Sequence, residues 1–378
     1  MDHYDYIITG SGAAGLSLLV HLINTGKFTG KHILLIDREP KDKNDRTWCF
    51  WEKGEGLFEP VVFKRWNSVW FHDKEDSVLH ELFPYQYKLI RGIDFYHYCF
   101  GIISSQSNIR IEYGRVESCV SDDSGTYVML DGRKISAGYI FNSILFDKPR
   151  IDSKHRLLLQ HFKGWTIETF TPVFDESRAT LMDFRVEQNN EDTTFVYVMP
   201  FSETRALVEF TVFGQYLLRE EVYEQALRHY CGEYLHISKY TIMEKESGVI
   251  PMTDYRFAKK INNIINIGTA GGQTKPSSGY TFNFIQKNSK TITDALVKTG
   301  KPFIREPVFN RRFALYDHTL LNILADHSFP GWQIFSILMG SNKMSEVMKF
   351  LDNETSLAEE LKIIRNLPKG IFLRAALQ

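Results

Sequence analysis

The sequence predicts an α/β fold with a parallel sheet, a second and antiparallel sheet, and helices at the C-terminal end. Three observations predict this architecture. The chain opens with a short apolar run, a glycine-rich turn and a helical pattern. Another apolar run enters a second glycine-rich turn near residue 270. Between the two turns, aromatic and β-branched residues alternate over residues 164–212, which is typical of half-buried strands.

The first turn carries a recognisable spacing. Residues 6–8 form a buried strand, residues 16–23 a helix, and Gly10, Gly12 and Gly15 between them give G-x-G-x-x-G. These glycines allow a tight turn, close approach of a pyrophosphate and close packing of helix on strand, and the helix N-terminus favours phosphate. A second strand, 32–36, ends in Asp37, which can accept from ribose hydroxyls. An ordinary glycine turn is the alternative. The predicted dinucleotide-binding residues are Gly10, Ser11, Gly12, Ala13, Ala14, Gly15, Asp37 and Arg38.

Composition excludes several functional classes. The 378 residues carry a net charge of −1, so a nucleic-acid partner is not expected. No apolar run approaches the ~18 residues that span a membrane, and the N-terminal sequence lacks the pattern of a secretory signal. The four cysteines are scattered, as is typical of reduced cytosolic thiols, and the histidines form no metal-ligand pattern. We therefore expect a cytoplasmic protein without a metal site.

An aromatic segment follows the second strand. Arg46 is followed by Trp48, Phe50 and Trp51 within five residues, and large aromatic side chains are costly to leave in water. The segment is either a local core or a wall of a ligand site, with Arg46 near cofactor phosphates.

The elements that follow predict the class of fold. Strands are predicted at 61–72, 77–83, 109–117, 126–130 and 139–142, and a helix at 94–100, with Asp131-Gly132 as a hairpin turn. This order after an opening βαβ unit is that of two-dinucleotide-binding-domain flavoproteins. By analogy of fold, the backbone near Val116 would meet the adenine.

The second half of the sequence predicts a β-sheet that covers the cofactor, followed by a segment that leads back to the first domain. The polar segment 149–161 marks a domain crossing, and strands at 164–173, 179–185, 194–199 and 205–212 precede a helix at 216–234. Residues 247–252 lead back to the first domain, where a strand at 264–267 enters the second glycine turn and a helix at 281–299. Helical segments follow at 309–324, 332–339, 345–351, 357–364 and 371–377.

Two glycine turns in one chain favour FAD, whose pyrophosphate and ribityl chain can be met from two sides. For the second glycine-rich turn too, the alternative is an ordinary turn that binds no cofactor. The predicted residues of this part of the site are Gly268, Ala270, Gly271, Gly272, Ser278 and Gly279. The predicted domains are an FAD-binding Rossmann-like domain (1–148 and 248–300), a substrate-binding β-sheet domain (149–247) and a C-terminal helical region (301–378).

Five ordered motifs carry a resemblance to a known family. They are Arg46-Thr47-Trp48-x-Phe50, Phe195-x-Tyr197-x-Met199-Pro200-Phe201, Glu209-x-Thr211, Gly248-x-Ile250-Pro251-Met252 and Ala270-Gly271-x6-Ser278-Gly279-Tyr280. With them, nearly the whole chain resembles the FAD-dependent lycopene cyclases, most closely lycopene β-cyclases. Two positions depart from the plant-type pattern: Phe210 replaces a second glutamate, and Thr253-Asp254 replaces Gly-Gly.

The resemblance implies a reaction without net redox change. Each acyclic end of lycopene, or of a related carotenoid, is protonated, closes a six-membered ring and loses a proton, giving γ-carotene and then β-carotene. It also implies reduced FAD, with NAD(P)H as reductant. Glu209 matches the glutamate of the family's Glu-x-Thr motif and is the expected catalytic residue. If it lies among apolar groups, its pKa should be raised. The expected substrate-binding residues are Trp48, Phe50, Trp51, Phe195, Tyr197, Pro251 and Tyr280.

The substrate class raises the question of a lipid surface. Lycopene resides in lipid, so we expect peripheral association with the inner face of a membrane. The candidate contact is the apolar stretch 329–339, for which a buried helix hairpin is the alternative. Two other functions stay open: a flavin-dependent hydroxylase, prenyl reductase or halogenase, and a non-catalytic isoprenoid carrier.

Overall fold

The computed structural model describes residues 3–146, 155–188, 191–302 and 311–378. The strands are β1 (His3–Thr9), β2 (Ile33–Asp37), β3 (Thr47–Lys53), β4 (Lys64–Trp66), β5 (Ser68–His72), β6 (Ser77–Glu81), β7 (Tyr85–Arg91), β8 (Ile109–Tyr113), β9 (Val116–Asp122), β10 (Gly125–Leu130), β11 (Arg133–Asn142), β12 (Leu157–Thr169), β13 (Arg178–Asp183), β14 (Thr193–Pro200), β15 (Arg205–Gly214), β16 (Tyr240–Thr253), β17 (Lys260–Ile261) and β18 (Ile264–Asn266). The helices are α1 (Ala13–Asn24), α2 (Gly92–Ser104), α3 (Glu220–Glu233), α4 (Phe282–Thr299), α5 (Arg311–Ala325), α6 (Gly331–Gly340), α7 (Met344–Leu351), α8 (Leu357–Ile364) and α9 (Lys369–Ala376).

The predicted parallel sheet is present as the centre of a mixed sheet of eight strands, in which β17, β10 and β9 pair antiparallel. Its central path runs β17-β18-β11-β1-β2-β8, and β10 and β9 extend it from β11. The pairs β18–β11, β11–β1, β1–β2 and β2–β8 are parallel. Apolar residues of β1 and β2 pack against α1, α2 and α4, which explains why these short strands lack polar alternation. The β10–β11 turn is at Asp131-Gly132 as predicted, with φ of 46° and 75°.

The second sheet has seven strands in the order β16-β12-β15-β14-β13-β5-β6. All neighbouring pairs are antiparallel except β13–β5, which is parallel. One face carries Val208, Phe210 and Val212, which pack under α3. The opposite face meets the C-terminal helices and the eight-stranded sheet's glycine turns. The α/β class, the largely antiparallel second sheet and the C-terminal helices are thus confirmed.

Several predicted boundaries were wrong. The predicted strand 61–72 divides into β4 and β5, which join different sheets, because Asn67 between them pairs with Leu82 instead. β12 begins at Leu157, seven residues before the predicted start at 164, and α3 begins at Glu220 rather than at 216. β16 follows β12 as far as Thr253, so residues 248–253 lie in the seven-stranded sheet rather than the predicted FAD-binding domain. Residues 149–154 of the predicted domain crossing (149–161) lie outside the described residues, and β12 begins within the remainder.

The stretch predicted to contact lipid is internal, so that prediction was wrong. Ile334, Phe335 and Leu338 of α6 are buried in the largest apolar cluster, and the Phe335 ring stacks on Phe184 with centroids 5.9 Å apart. Trp332 is half-buried, with the Lys74 ammonium 4.8 Å from its ring centroid. The buried-helix alternative therefore describes this segment. Among the described residues, no helix is both long enough and apolar enough to cross a bilayer.

A buried ion pair ties the C-terminal helices to the second glycine turn. The Lys275 ammonium lies 2.8 Å from an Asp317 carboxylate oxygen and donates to the Asn353 side chain at 2.8 Å. The side chains of Lys275 and Asp317 are only 5% and 6% exposed. Lys275 follows the glycine turn, Asp317 lies in α5 and Asn353 follows α7, so one ammonium connects three segments.

Candidate functional site

A cavity of about 510 Å3 lies between the two sheets. Backbone of both glycine turns lines one side, at Gly12 and Gly268. The seven-stranded sheet lines the other, through Leu207 and Glu209 of β15. The position outside the carboxyl ends of β1 and β18 is where open α/β sheets bind ligands.

The first turn has the geometry that a bound pyrophosphate requires. Gly10 has a φ of 93°, and a Cβ on Gly15 would lie 2.0 Å from the Gly10 carbonyl oxygen. Both positions are therefore restricted to glycine by the fold itself. Gly12, the N-cap of α1, differs: its φ is −82° and a Cβ would meet no atom within 4 Å. Because Gly12 lines the cavity, the space beside it is available to a ligand.

Asp37 stabilises the first glycine turn through hydrogen bonds. One of its carboxylate oxygens accepts from the Ser11 backbone N–H and hydroxyl, both at 2.6 Å. Burial raises the pKa of Asp37, but the two bonds from Ser11, the Lys41 charge and the Arg38 backbone N–H together hold it below its ordinary value. The carboxylate therefore stays ionised and holds the turn against the end of β2. Asp37 is not among the residues that line the cavity.

The second turn packs directly on the first. Gly268 has a φ of 60°, and a Cβ there would lie 2.9 Å from the Ala14 Cβ at the start of α1. Gly279, with a φ of 71°, leaves room for the Gln160 side chain. The Gln160 Oε1 and Ser278 Oγ atoms are buried and have no hydrogen-bond partner among the described residues. Both residues line the cavity, so these two polar atoms are free to bind a ligand.

The predicted cofactor residues fall into two groups. Those that line the cavity are Gly12, Ala13, Ala14, Arg46, Gly268, Ser278 and Gly279. Those that shape the turns or lie farther away, without lining it, are Gly10, Ser11, Gly15, Asp37, Arg38, Val116, Ala270, Gly271 and Gly272. Arg38 is exposed, and Val116 begins β9 at the sheet's extension. Two glycine backbones, a helix N-terminus and two free polar atoms facing one cavity fit a dinucleotide.

Glu209 lies at the centre of the opposite wall. It is 8% exposed, and Thr211 donates to its carboxylate at 2.9 Å. Leu207 and Glu209 line the cavity, whereas Val208 and Phe210 face α3, as the alternation predicted. Position 210, where the plant-type pattern has its second glutamate, therefore faces away from the cavity.

The site contains a second carboxyl group that the sequence did not predict. Glu246 of β16 lines the same cavity and accepts from the Thr47 hydroxyl at 2.6 Å. Glu209 and Glu246 lie opposite the same residue, Gly164 of β12, from the two strands that flank it. Their side chains project from the same face of the sheet into one cavity, where the charge of Glu246 acts on Glu209.

The two carboxyl groups have perturbed acidity. Burial raises the pKa of Glu209 well above its ordinary value, and the negative charge of Glu246 raises it further. This confirms the raised pKa expected for an apolar position. Burial also raises the pKa of Glu246, although hydrogen bonds from Thr47 and Glu209 oppose the rise. Both shifts favour the protonated form of a carboxyl group, which is the form that acid catalysis needs.

The sequence could not single out Glu246. It lies in Glu244-Lys245-Glu246, a charged alternation typical of a solvated edge strand. The one feature of the sequence that could have drawn attention to Glu246 is its position two residues before the Gly248-x-Ile250-Pro251-Met252 motif. Its approach to Glu209 depends on the order β15-β12-β16, which no local pattern contains.

The predicted aromatic wall is only partly correct. Trp48, Tyr197, Pro251 and Tyr280 line the cavity, and the Tyr280 hydroxyl lies 3.2 Å from that of Tyr87. Burial raises the pKa of Tyr197 well above its ordinary value, so the phenol stays neutral.

Three predicted wall residues are core residues instead. Phe50 stacks on Phe282 with centroids 4.5 Å apart, and Trp51 packs edge-on against Tyr280. Phe195 packs against Phe184 and Phe213. None of the three lines the cavity. Each lies two residues along its strand from a residue that does, so it shares that residue's face but packs into the neighbouring apolar cluster.

Known proteins resemble this chain along most of its length. A neoxanthin synthase of Solanum tuberosum is 25% identical over 325 residues, which cover 78% of this chain and 61% of that protein. A lycopene beta-cyclase of Paracoccus sp. is 24% identical over 255 residues, or 63% of each chain. The chain thus spans about six tenths of the length of these relatives.

Solved structures share the fold. A geranylgeranyl bacteriochlorophyll reductase-like protein from Thermoplasma acidophilum matches with a TM-score of 0.68 at 9% identity, over 99% of this chain and 98% of that chain. A flavin-dependent brominase matches with a TM-score of 0.61 at 11% identity, over 99% and 98%.

The fold and the paired glycine turns thus define an α/β protein with the FAD-binding Rossmann-like architecture of flavin-dependent enzymes. A family model described as lycopene cyclase protein matches residues 5–376. The chain belongs to the lycopene cyclase family, which confirms the resemblance carried by the five motifs. Within the described ranges, no group of three His, Cys, Asp or Glu side chains is placed to hold a metal ion.

Proposed function

We propose that this chain is a flavin-dependent lycopene β-cyclase that closes β-ionone rings on acyclic carotenoid ends. One observation carries the proposal: Glu209, with a raised pKa, faces a cavity lined by aromatic side chains and by both glycine turns. Ring closure begins with protonation of an alkene, which needs an acid that is still protonated at neutral pH. Membership of the lycopene cyclase family supports the same substrate class.

The proposed reaction balances without an oxidant. Glu209 gives its proton to one carbon of the terminal double bond, which leaves a tertiary cation on the other carbon. A second double bond of the same end attacks the cation and forms the ring's carbon–carbon bond. A proton then leaves a ring carbon, the last double bond forms, and the product has the same mass as the substrate. We propose that both ends react in turn, giving γ-carotene and then β-carotene.

The cavity walls suit a carbocation. Trp48, Tyr197 and Tyr280 can present π faces to the positive charge, and the ionised member of the carboxyl pair (Glu209 and Glu246) adds negative charge. Apolar groups such as Leu207 and Pro251 exclude water, which would otherwise trap the cation as an alcohol. These contacts support a proton-initiated reaction in place of hydride or oxygen transfer to the substrate.

FAD fits the residues present. The backbone at Gly12 and the start of α1 would hold the pyrophosphate, and the free Ser278 Oγ and Gln160 Oε1 atoms would contact other polar parts of the cofactor. The reduced flavin would supply electron density beside the developing cation. We propose NAD(P)H as the reductant that maintains this form.

The decisive test is conversion of lycopene by the purified protein. We expect lycopene in lipid vesicles, with FAD reduced under anaerobic conditions, to give products of unchanged mass that elute as γ-carotene and β-carotene. One equivalent of reductant should support many turnovers. Products of altered mass would instead identify a hydroxylase, a prenyl reductase or a halogenase. Binding of lycopene with no product would identify a carrier.

Substitution of Gly12 by alanine separates cofactor binding from folding. A Cβ at this position meets no protein atom within 4 Å and the backbone is not strained, so stability should change by no more than about 1 kcal/mol. The Cβ would occupy space that the pyrophosphate needs, so we expect FAD affinity to fall about 10-fold or more. Flavin fluorescence titration and thermal unfolding measure the two effects. Gly101→Ala, also with open space at its Cβ, is the control; unchanged FAD affinity in Gly12→Ala would exclude the assigned pyrophosphate site.

We also propose that the protein takes its substrate from the inner face of a membrane as a peripheral, cytoplasmic protein. The apolar nature of lycopene supports this proposal. Because the apolar side chains of α6 are internal, the contact would be made by another part of the surface. Vesicle flotation with and without lycopene in the bilayer would test it, and absence of the protein from floating vesicles under both conditions would contradict it.

A further inference from the structure

The two carboxyl groups of the site are brought together by the register of the seven-stranded sheet. β15 and β16 flank β12, so the backbones of Glu209 and Glu246 are two strand spacings apart, or about 10 Å. The residue between them is Gly164, which has no side chain. A Cβ there would lie 3.0 Å from both Glu246 Cγ and Leu207 Cδ1. Glycine at this position therefore leaves room for the Glu246 side chain, whose Oε1 would lie 3.3 Å from that Cβ, on the face of the sheet that carries Glu209.

Contact between the two groups requires a proton. Ionised carboxylates only accept hydrogen bonds, so two of them can be hydrogen-bonded only when one carries a proton. Thr211 donates to Glu209 and Thr47 donates to Glu246, so neither hydroxyl can supply the bond between the two carboxyl groups. Glu209 is only 8% exposed, so a single shared proton is the favoured state, because two adjacent negative charges repel strongly there.

Few other charges face the carboxyl pair. Arg46, directly before β3, carries a positive charge that favours ionisation of Glu246, and β3 itself contributes the neutral thiol of Cys49. From β14 and the second turn come the neutral phenols of Tyr197 and Tyr280. From β16 itself comes Glu244, which is exposed. Lys41 and Asp45 line the cavity farther out, and Tyr87 of β7 lies behind Tyr280.

We propose that Glu246 is a positioning residue for the acid: it shares one proton with Glu209 across Gly164 and sets the pH range in which Glu209 is protonated. The role of this pair in ring closure rests on the proposed function. When Glu209 gives up its proton, the pair carries two negative charges beside the new cation. The same repulsion makes the pair a strong base, so it regains one proton when the ring loses one. The pair returns to its starting charge, and no proton is gained or lost overall.

The pH profile distinguishes this role from a structural one. In Glu246→Gln the neighbouring negative charge is gone, and the amide can donate to ionised Glu209. The pKa of Glu209 should therefore fall, and activity should be lost at a lower pH, with the alkaline limb shifted down by about 1 unit or more. A rate that is lower at every pH, with an unchanged midpoint, would overturn the proposal.

A matched control lies two residues away on the same strand. Glu244→Gln removes the same charge from an exposed position whose side chain accepts from Asn44, and it should shift the midpoint much less. An equal shift in both variants would show a general effect of charge and would also overturn the proposal. Gly164→Ala, which would push the two carboxyl groups apart, should shift the profile in the direction of Glu246→Gln.

Infrared spectroscopy provides a readout that does not depend on turnover. In the flavin-bound protein without lycopene, a protonated carboxyl band should be present at neutral pH and absent from Glu209→Gln. Its titration midpoint should be lower in Glu246→Gln than in the unaltered protein. A midpoint shift in a protein that does not convert lycopene would support the shared proton while contradicting the proposed function. Lycopene conversion with no band, or with no shift of the band, would overturn the shared proton while leaving the proposed function intact.

Discussion

Replacing Glu209 with glutamine is expected to lower the rate of lycopene conversion by about 10²–10⁴-fold, the contribution typical of a general acid. Glutamine keeps the shape of the side chain and can still accept from Thr211, but it cannot protonate an alkene. The measurement is pigment analysis in a host that accumulates lycopene, followed by rates with the purified, flavin-bound protein. The pigment should remain lycopene in place of the isobaric β-carotene.

A neighbouring glutamate provides the control for this substitution. Glu168 of β12 is 41% exposed and pairs with Arg205 at the surface, so Glu168→Gln should retain activity. Equal flavin binding and equal thermal stability of both variants would show that the loss belongs to the chemistry. A folded, flavin-bound Glu209→Gln protein that still forms β-carotene at the original rate would remove Glu209 from the acid role.

Replacing Lys275 with methionine is expected to reduce the free energy of unfolding by about 3–5 kcal/mol, the usual effect of leaving one member of a buried ion pair alone. The Asp317 carboxylate, whose side chain is 6% exposed, would be left without its cationic partner. The side chain that links the second glycine turn to α5 would also be lost, so FAD affinity should fall with stability. Urea unfolding and flavin titration measure both quantities.

The double variant Lys275→Met, Asp317→Leu tests whether the loss comes from an unpaired charge. With both charges removed, stability should recover much of the loss, because buried ion pairs are often replaceable by apolar residues of similar volume. Stability losses that simply add in the double variant would contradict this explanation. The surface pair Lys290–Asp294, whose side chains are 66% and 59% exposed, is a suitable comparison, and its removal should cost less than about 1 kcal/mol.

Local patterns were sufficient for the parts of the fold that depend on local physics. Gly10 and Gly15 revealed the first turn because backbone geometry at those positions admits no side chain. The hairpin at Asp131-Gly132 and the helices from α4 to α9 were also predictable, since turn residues and 3.6-residue periodicity mark them directly. The face of β15 that carries Glu209 followed from alternation alone.

What the sequence could not provide was the order of strands. β5 belongs to the seven-stranded sheet, in which every strand except β5 and β6 begins after residue 156. Local sequence does not reveal such distant partners, so residues 61–72 were predicted as one strand. Phe50, Trp51 and Phe195 were predicted as ligand contacts from aromatic character, but an apolar core and the wall of a cavity need the same residue types, and both can lie on one face of a strand. Glu246 was missed because its partner lies two strands away, with a glycine between them.

The parallel pairing of β5 with β13 has a consequence for how the chain can be divided. β5 lies within the first 72 residues, and β13 begins at Arg178. The backbone hydrogen bonds between β5 and β13 connect the N-terminal part of the chain to its middle part. An excised fragment that began after residue 148 would leave β13 as an open edge, with unpaired N–H and C=O groups ready to join another chain. The protein is therefore best treated as one folding unit, and separately expressed halves would be prone to self-association.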